Sequence, residues 1–287
     1  MIPVLKTGLV PAASGSAYFE LEAPASLTPK KLIPSTSSLK LTCSVHGPKP
    51  LTRTASFSPN LQLSAHVKFA PFATRQRRGY IRDAAERDLS VHLENALKGA
   101  IIPDRWPKTA IDVIVMVLEG EEDSWLSNGT VSKGGFENAG MMNVLAGCLT
   151  VASAALADAR IDCLDLLAGG AAAIVSEPDG TRMKLLDPCP TDHEELNAIC
   201  VVGYLPARDE VTELWVKGDL PTKTEDSGLG LETLVDGAIN TARGVQSVLR
   251  EAVKESAERW AQNIASTPAT LSSKSSANAA HDVEMKI

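Results

Sequence analysis

Apolar and polar residues alternate from Gly15 to Glu22 (GSAYFELE), the two-residue rhythm of a strand with one buried face. The same rhythm, bounded by turn-forming residues, predicts strands over Leu39–Pro48 (LKLTCSVHGP) and Leu61–Ala73 (LQLSAHVKFAPFA). Three strands in succession predict an antiparallel meander. From Asp83 to Leu97 the rhythm changes. Ala84, Leu89, Leu93, Ala96 and Leu97 recur at helical spacing, with Asp83 and Glu86 where a helix N-terminus favours negative charge. The near-continuous apolar run from Ile111 to Leu118 predicts a central strand buried on both faces. Ala139–Ala159 is small-residue-rich and apolar nearly all round, which describes a helix buried against a sheet. Strands follow near Ile174, Leu185, Val201 and Leu214. The last helix runs from about Leu229 to about Ile264, with an apolar stripe from Leu231 to Val253.

Polar stretches punctuate this pattern. Residues 23–38 are rich in Pro, Ser and Thr, and residues 119–135 are polar and Gly-rich, so both read as surface inserts. Beyond residue 264 the Ser, Ala and Thr bias is too weak to support a core, and residues 265–287 read as a disordered tail. Strands, helix, strand, helix, strands, helix make one α+β domain over residues 1–264.

Composition adds limits. The 287 residues, 44% hydrophobic and 22% charged, are enough for a sizeable core. No apolar run approaches the ~20 residues that cross a bilayer, so no membrane association is expected. The first twenty residues read poorly as a signal peptide. Cys43, Cys148, Cys163, Cys189 and Cys200 are scattered and odd in number. That pattern predicts reduced thiols inside a cell, and neither a zinc site nor a disulfide frame. His46, His66 and His92 fall within strand and helix patterns and read as structural side chains, and Trp215 as part of a core.

The formal net charge of −7 does not favour an autonomous nucleic-acid binder, yet it permits a local basic site. One exists. Between the third strand and the first helix, FATRQRRGYIRD carries Arg75, Arg77, Arg78 and Arg82. A guanidinium fork can grip phosphate or stack on an unpaired base. The alternative is pairing with Asp83, Glu86 and Asp88, the commoner fate of surface arginine.

Seven segments occur in one order: GSAYFELE, LTCSVHGP, VKFAPFA, ERDLSVHLENAL, WPKTAIDVIVMVLEG, AALADARIDCLDLL and LLDP. None is diagnostic alone. Together they resemble an RNase PH-type domain, an α+β fold of the ribosomal protein S5 domain 2-like kind, with mixed sheets packed against helices. GSAYFE with FAPFATRQRR is most similar to a ring subunit of the eukaryotic exosome. The Arg- and Asp-containing segment that opens the family before its first strand has no counterpart here.

Active relatives attack the 3′-terminal linkage of RNA with inorganic phosphate, which demands an anion cradle and acidic groups. In them a Gly-Thr-Arg loop precedes the buried helix. This chain has SKGGFENAGMM at that place and no arginine between Arg105 and Arg160. Gly129-Thr130 is followed by Val131 instead. Two aspartates follow the one that matches Asp187 in active relatives; the matching positions here are His193 and Ile199, with Asp192 and Glu194 beside the first.

The resemblance therefore implies a non-catalytic subunit with no catalytic or metal-binding residue and no cofactor, which completes a hexameric ring. Its partners would be other RNase PH-like ring subunits and S1/KH-type cap proteins. Single-stranded RNA would pass the arginine loop, in the nucleus, nucleolus and cytoplasm. The opposing expectation is an active phosphate-dependent 3′-to-5′ exoribonuclease.

Overall fold

A computed structural model describes residues 2–22, 38–51, 58–74, 77–120, 140–176, 182–188, 195–218, 220 and 230–266. Most of both predicted inserts and nearly all of the predicted tail lie outside these residues. Nine strands and three α-helices are described: β1 (Ile2–Thr7), β2 (Gly15–Glu22), β3 (Ser38–Pro50), β4 (Gln62–Phe69), α1 (Ala84–Ala100), β5 (Thr109–Glu119), α2 (Gly140–Asp158), β6 (Ala168–Ser176), β7 (Arg182–Leu186), β8 (Glu195–Leu205), β9 (Glu210–Gly218) and α3 (Leu231–Ser266). They divide into two units, Met1–Val253 and Lys254–Ile287. In the second, the end of α3 exposes Trp260 and Ile264.

The first sheet runs β1-β2-β3-β5-β4. β2 and β3 pair antiparallel, as expected, but the third predicted strand does not complete a meander. β4 lies parallel to β5, from Gln62↔Ala110 to Phe69↔Val117. Helix α1 carries the chain back from the end of β4 to the start of β5, the crossover that parallel pairing requires. β4 also stops at Phe69, short of the predicted Ala73.

β5 is central, between β3 and β4, but it is not buried on both faces. Ile111, Val113, Val115 and Val117 point into the core, while Ile114 and Met116 are 36% and 40% exposed on the other face. β1 was not foreseen. It pairs with β2 and buries Leu5 and Thr7.

The inward face of this sheet packs on α1 and α2. Leu89, Leu93, Ala96 and Leu97 of α1 are fully buried, whereas Ala84 is exposed at the helix start. Each buried leucine stabilises the fold by roughly 2 kcal/mol. α2 is long and apolar enough to cross a membrane by length and composition, contrary to the expectation above, yet 89% of that window is buried. It lies between the two sheets, touching β2, β3 and β6.

The second sheet, β7-β6-β8-β9, is antiparallel throughout. Its β6 strand, AGGAAAIVS, is buried on both faces because helices pass on either side. A Cβ at Gly169 would lie 2.1 Å from the Ala146 carbonyl oxygen of α2, and one at Gly170 2.1 Å from that of Ala238 in α3. Leu234, Ala238 and Ala242 of α3 close a second core against Ala168, Ala172 and Val202.

Candidate nucleic-acid interface

The arginine loop begins where β4 ends. The Ala70 N–H donates to the Val117 carbonyl (2.8 Å), a last bond to β5, and the Ala73 N–H donates to the Ala70 carbonyl (2.9 Å), turning the chain off the sheet. The Arg78 N–H donates to the Pro71 carbonyl (3.3 Å) and closes the loop on itself.

A buried ion pair holds this loop to helix α1. Glu86, with no exposed surface, accepts from the Phe69 N–H (2.9 Å), the Asp83 N–H (3.0 Å) and Lys68 Nζ (3.0 Å). The bond to Asp83 is the helix-capping contact that an acidic residue in the first turn can make. Lys68 Nζ also donates to the carbonyls of Gly79 (3.1 Å) and Ile81 (3.2 Å). A single ammonium thus ties the strand, the loop and the helix start together.

The structure separates three of the four arginines that composition grouped. Arg75 lies outside the described residues. Arg78 is inward: its guanidinium sits 4.2 Å from the centroid of the Phe69 ring and 3.6 Å from an Asp83 carboxylate oxygen. It braces the loop, as the pairing alternative anticipated. Arg82 donates to His66 Nδ1 (3.0 Å), whose Nε2 lies 3.0 Å from Ser64 Oγ. That set is satisfied by the neutral imidazole with its proton on Nε2. Arg77 is exposed, and among the described residues no ion pair engages Arg77 or Arg82. Asp88 makes no ion pair with these arginines among the described residues.

Sequence reasoning missed Lys68, Phe72, Tyr80 and Ile81, and it gave Glu86 only as a helix-start acid and an alternative partner for the arginines. Lys68 and Glu86 form the clamp; the signal was a lone lysine in an apolar strand and an acid three residues past the cap. Phe72, Tyr80 and Ile81 are 74%, 88% and 66% exposed on the same loop. Their signal was apolar residues among arginines, with neither strand nor helix period.

His92 is structural, as expected. Its Nδ1 lies 2.7 Å from Glu213 Oε1 and its ring stacks on Trp215 at 4.4 Å, tying α1 to β9. Trp215 is partly buried against the core.

The second place of interest is the start of α2. Asn143 Nδ2 donates to the Pro188 carbonyl (2.6 Å). Beside it Asp187 adopts a left-handed backbone (φ 54°), and burial raises its carboxyl above the usual carboxylate range. Asn143, Thr150, Asp187 and Thr241 help line a cavity of about 20 Å³, room for a single water. Ile199 lies in β8, fully buried on the α2 side of the sheet. The predicted cradle region and His193 fall outside the described residues. Among the described residues no group of three or more His, Cys, Asp or Glu is placed to hold a metal ion.

A family model described as the 3′ exoribonuclease family, domain 1, matches residues 4–162. The exosome complex component MTR3 of Chaetomium thermophilum is 52% identical over 251 residues, spanning 88% of this chain and 84% of its own. The human exosome complex component MTR3 is 27% identical over 226 residues, 75% and 70% of the two chains. The crystal structure of rice Rrp46 shares the fold, with a TM-score of 0.60 at 16% identity over 88% of this chain and 94% of that one.

Proposed function

The chain belongs to the RNase PH-type 3′ exoribonuclease family, and on that premise we propose that it is a non-catalytic subunit of the RNA exosome. In this reading residues 1–264 form one RNase PH-like domain that completes a hexameric ring with other subunits of the same fold. It receives an S1/KH-type cap protein, and it guides single-stranded RNA past the loop of Arg75, Arg77, Arg78 and Arg82. It works in the nucleus and nucleolus and in the cytoplasm.

The observation that carries the assembly role is the 52% identity to a protein named an exosome complex component. The case against catalysis rests on chemistry. Phosphorolysis adds negative charge to an anionic centre, so the incoming phosphate needs a fixed cation and the metal or proton a carboxylate. The stretch before α2 offers no arginine, and one of the two acidic positions is Ile199, packed in the core. An aliphatic side chain neither binds a metal nor moves a proton. Groups that act as a unit fail together.

The grip is divided. Arg77 and Arg82 present guanidinium groups for phosphate, and Arg78 supports the loop from beneath. Affinity purification of the full chain tests the assembly: other RNase PH-like chains should accompany it, and recovery of a lone monomer would overturn the role. The purified chain should release no nucleoside diphosphate from single-stranded RNA with inorganic phosphate. Robust release would establish the active exoribonuclease instead.

A further inference from the structure

We propose that Tyr80 is a base-stacking platform, so that the loop holds an unpaired nucleobase as well as phosphates. This rests on the RNA-guiding reading above and deepens it.

Tyr80 is the most exposed of the large hydrophobic side chains described, at 88%. Among the described residues no hydrogen bond or ring contact engages its side chain. Its backbone, in contrast, is pinned on both sides, because Lys68 Nζ grips the carbonyls of Gly79 and Ile81, the residues that flank it. Lys68 is in turn held by the fully buried Glu86. A flexible tip would lose much of its contact energy to ordering. A pinned backbone with an outward ring has already met that cost.

The charge around the ring selects the occupant. The two acids nearest in sequence are engaged, Glu86 buried on Lys68 and Asp83 paired with Arg78, while Asp88 is exposed one turn further along α1. Arg77 and Arg82 are exposed and free of ion pairs among the described residues. An exposed aromatic ring flanked in sequence by exposed arginines matches a single strand, whose bases offer π-faces and whose backbone offers anions. Phe72, 74% exposed across the Pro71–Arg78 closure, supplies a second ring on the same loop. Stacking is sequence-tolerant, so any base would serve.

The test compares two strands with equal phosphate number, an oligoadenylate and an abasic analogue, binding to the full chain with its co-purified subunits at fixed salt. Tyr80→Ala should weaken the oligoadenylate about tenfold, within the range for loss of one stacked base, and leave the abasic strand unchanged. Tyr80→Trp should restore binding. A strand carrying 4-thiouridine should photo-crosslink to the peptide containing Tyr80, and the crosslink should vanish in Tyr80→Ala. Arg77→Ala with Arg82→Ala should weaken both strands alike.

The failures are distinguishable. Unchanged oligoadenylate affinity and no crosslink in the Tyr80 peptide, with weakened binding in the arginine variant, overturns stacking and leaves the grip. No effect of either variant overturns both. Equal weakening of both strands by Tyr80→Ala also overturns stacking. So does loss of a co-purifying subunit, which would make Tyr80 a protein contact.

Discussion

Glu86 is the point where the loop can be released without touching its surface. Glu86→Ala removes the acceptor of the Phe69 and Asp83 N–H groups and the counter-charge of Lys68. The Phe69 N–H is left buried without an acceptor, at a cost of about 1–3 kcal/mol. Losing the capping contact costs about 1 kcal/mol. Lys68 keeps its two carbonyls and some solvent, so its share is smaller. The sum, about 2–5 kcal/mol, overlaps the usual penalty for breaking a buried pair by removing one partner. That is a large part of a total stability of roughly 5–15 kcal/mol. A chain of this size should lose about 10 °C in melting temperature.

Glu86→Gln discriminates. One oxygen can still accept from Phe69, but the amide nitrogen would face two donors, so about half the loss is expected. Urea unfolding with constant slope measures both variants. Limited proteolysis should show cleavage within residues 71–83 of the alanine variant under conditions where the wild type resists. Glu86→Ala within about 1 kcal/mol of wild type, or Glu86→Gln indistinguishable from it, would refute the clamp.

Arg77→Ala and Arg78→Ala should part company. The first should weaken RNA crosslinking with no change in melting temperature, while the second should cost about 1 kcal/mol through loss of its contact with the Phe69 ring; equal melting curves would refute the division of roles. Gly170→Ala should destabilise by about 3 kcal/mol or more in urea unfolding, because the new methyl meets the backbone of α3 rather than a side chain that can yield. Asp187→Asn tests the partly buried carboxyl. An acid whose native pKa is raised favours folding while protonated, so that stability is whole below about pH 4 and is lost as pH rises through the native value. The neutral amide, which also tolerates a left-handed backbone, should therefore be more stable than wild type at neutral pH. Its advantage should vanish toward about pH 4. A variant less stable at neutral pH than in acid, relative to wild type, would contradict the assignment.

What the pattern of residues revealed, and what it hid, follows from the range of each interaction. The stripe Leu89, Leu93, Leu97 identifies α1 because helical neighbours are close in the chain. Nothing within β4 records that its partner is β5, because that pairing is made after a crossover and through backbone groups every residue has. Ile114 and Met116 misled for a related reason: their own character is apolar, and only the sheet decides which alternate positions face the helices. β1 did not stand out because Pro3 lies inside it, which a strand tolerates only at a sheet edge such as this one. The arginine loop shows the same limit. Its positive charge is visible as composition, but the ranking of Arg77, Arg78 and Arg82 depends on partners at Phe69, Asp83 and His66. The clamp beneath them joins Lys68 to Glu86, eighteen positions apart, and the lone lysine and the first-turn acid do not by themselves say that they meet. A surface built to hold a strand is thus legible as charge. Its rigidity, which decides whether Tyr80 can stack with little entropic loss, resides in contacts made only once β4 and α1 have packed.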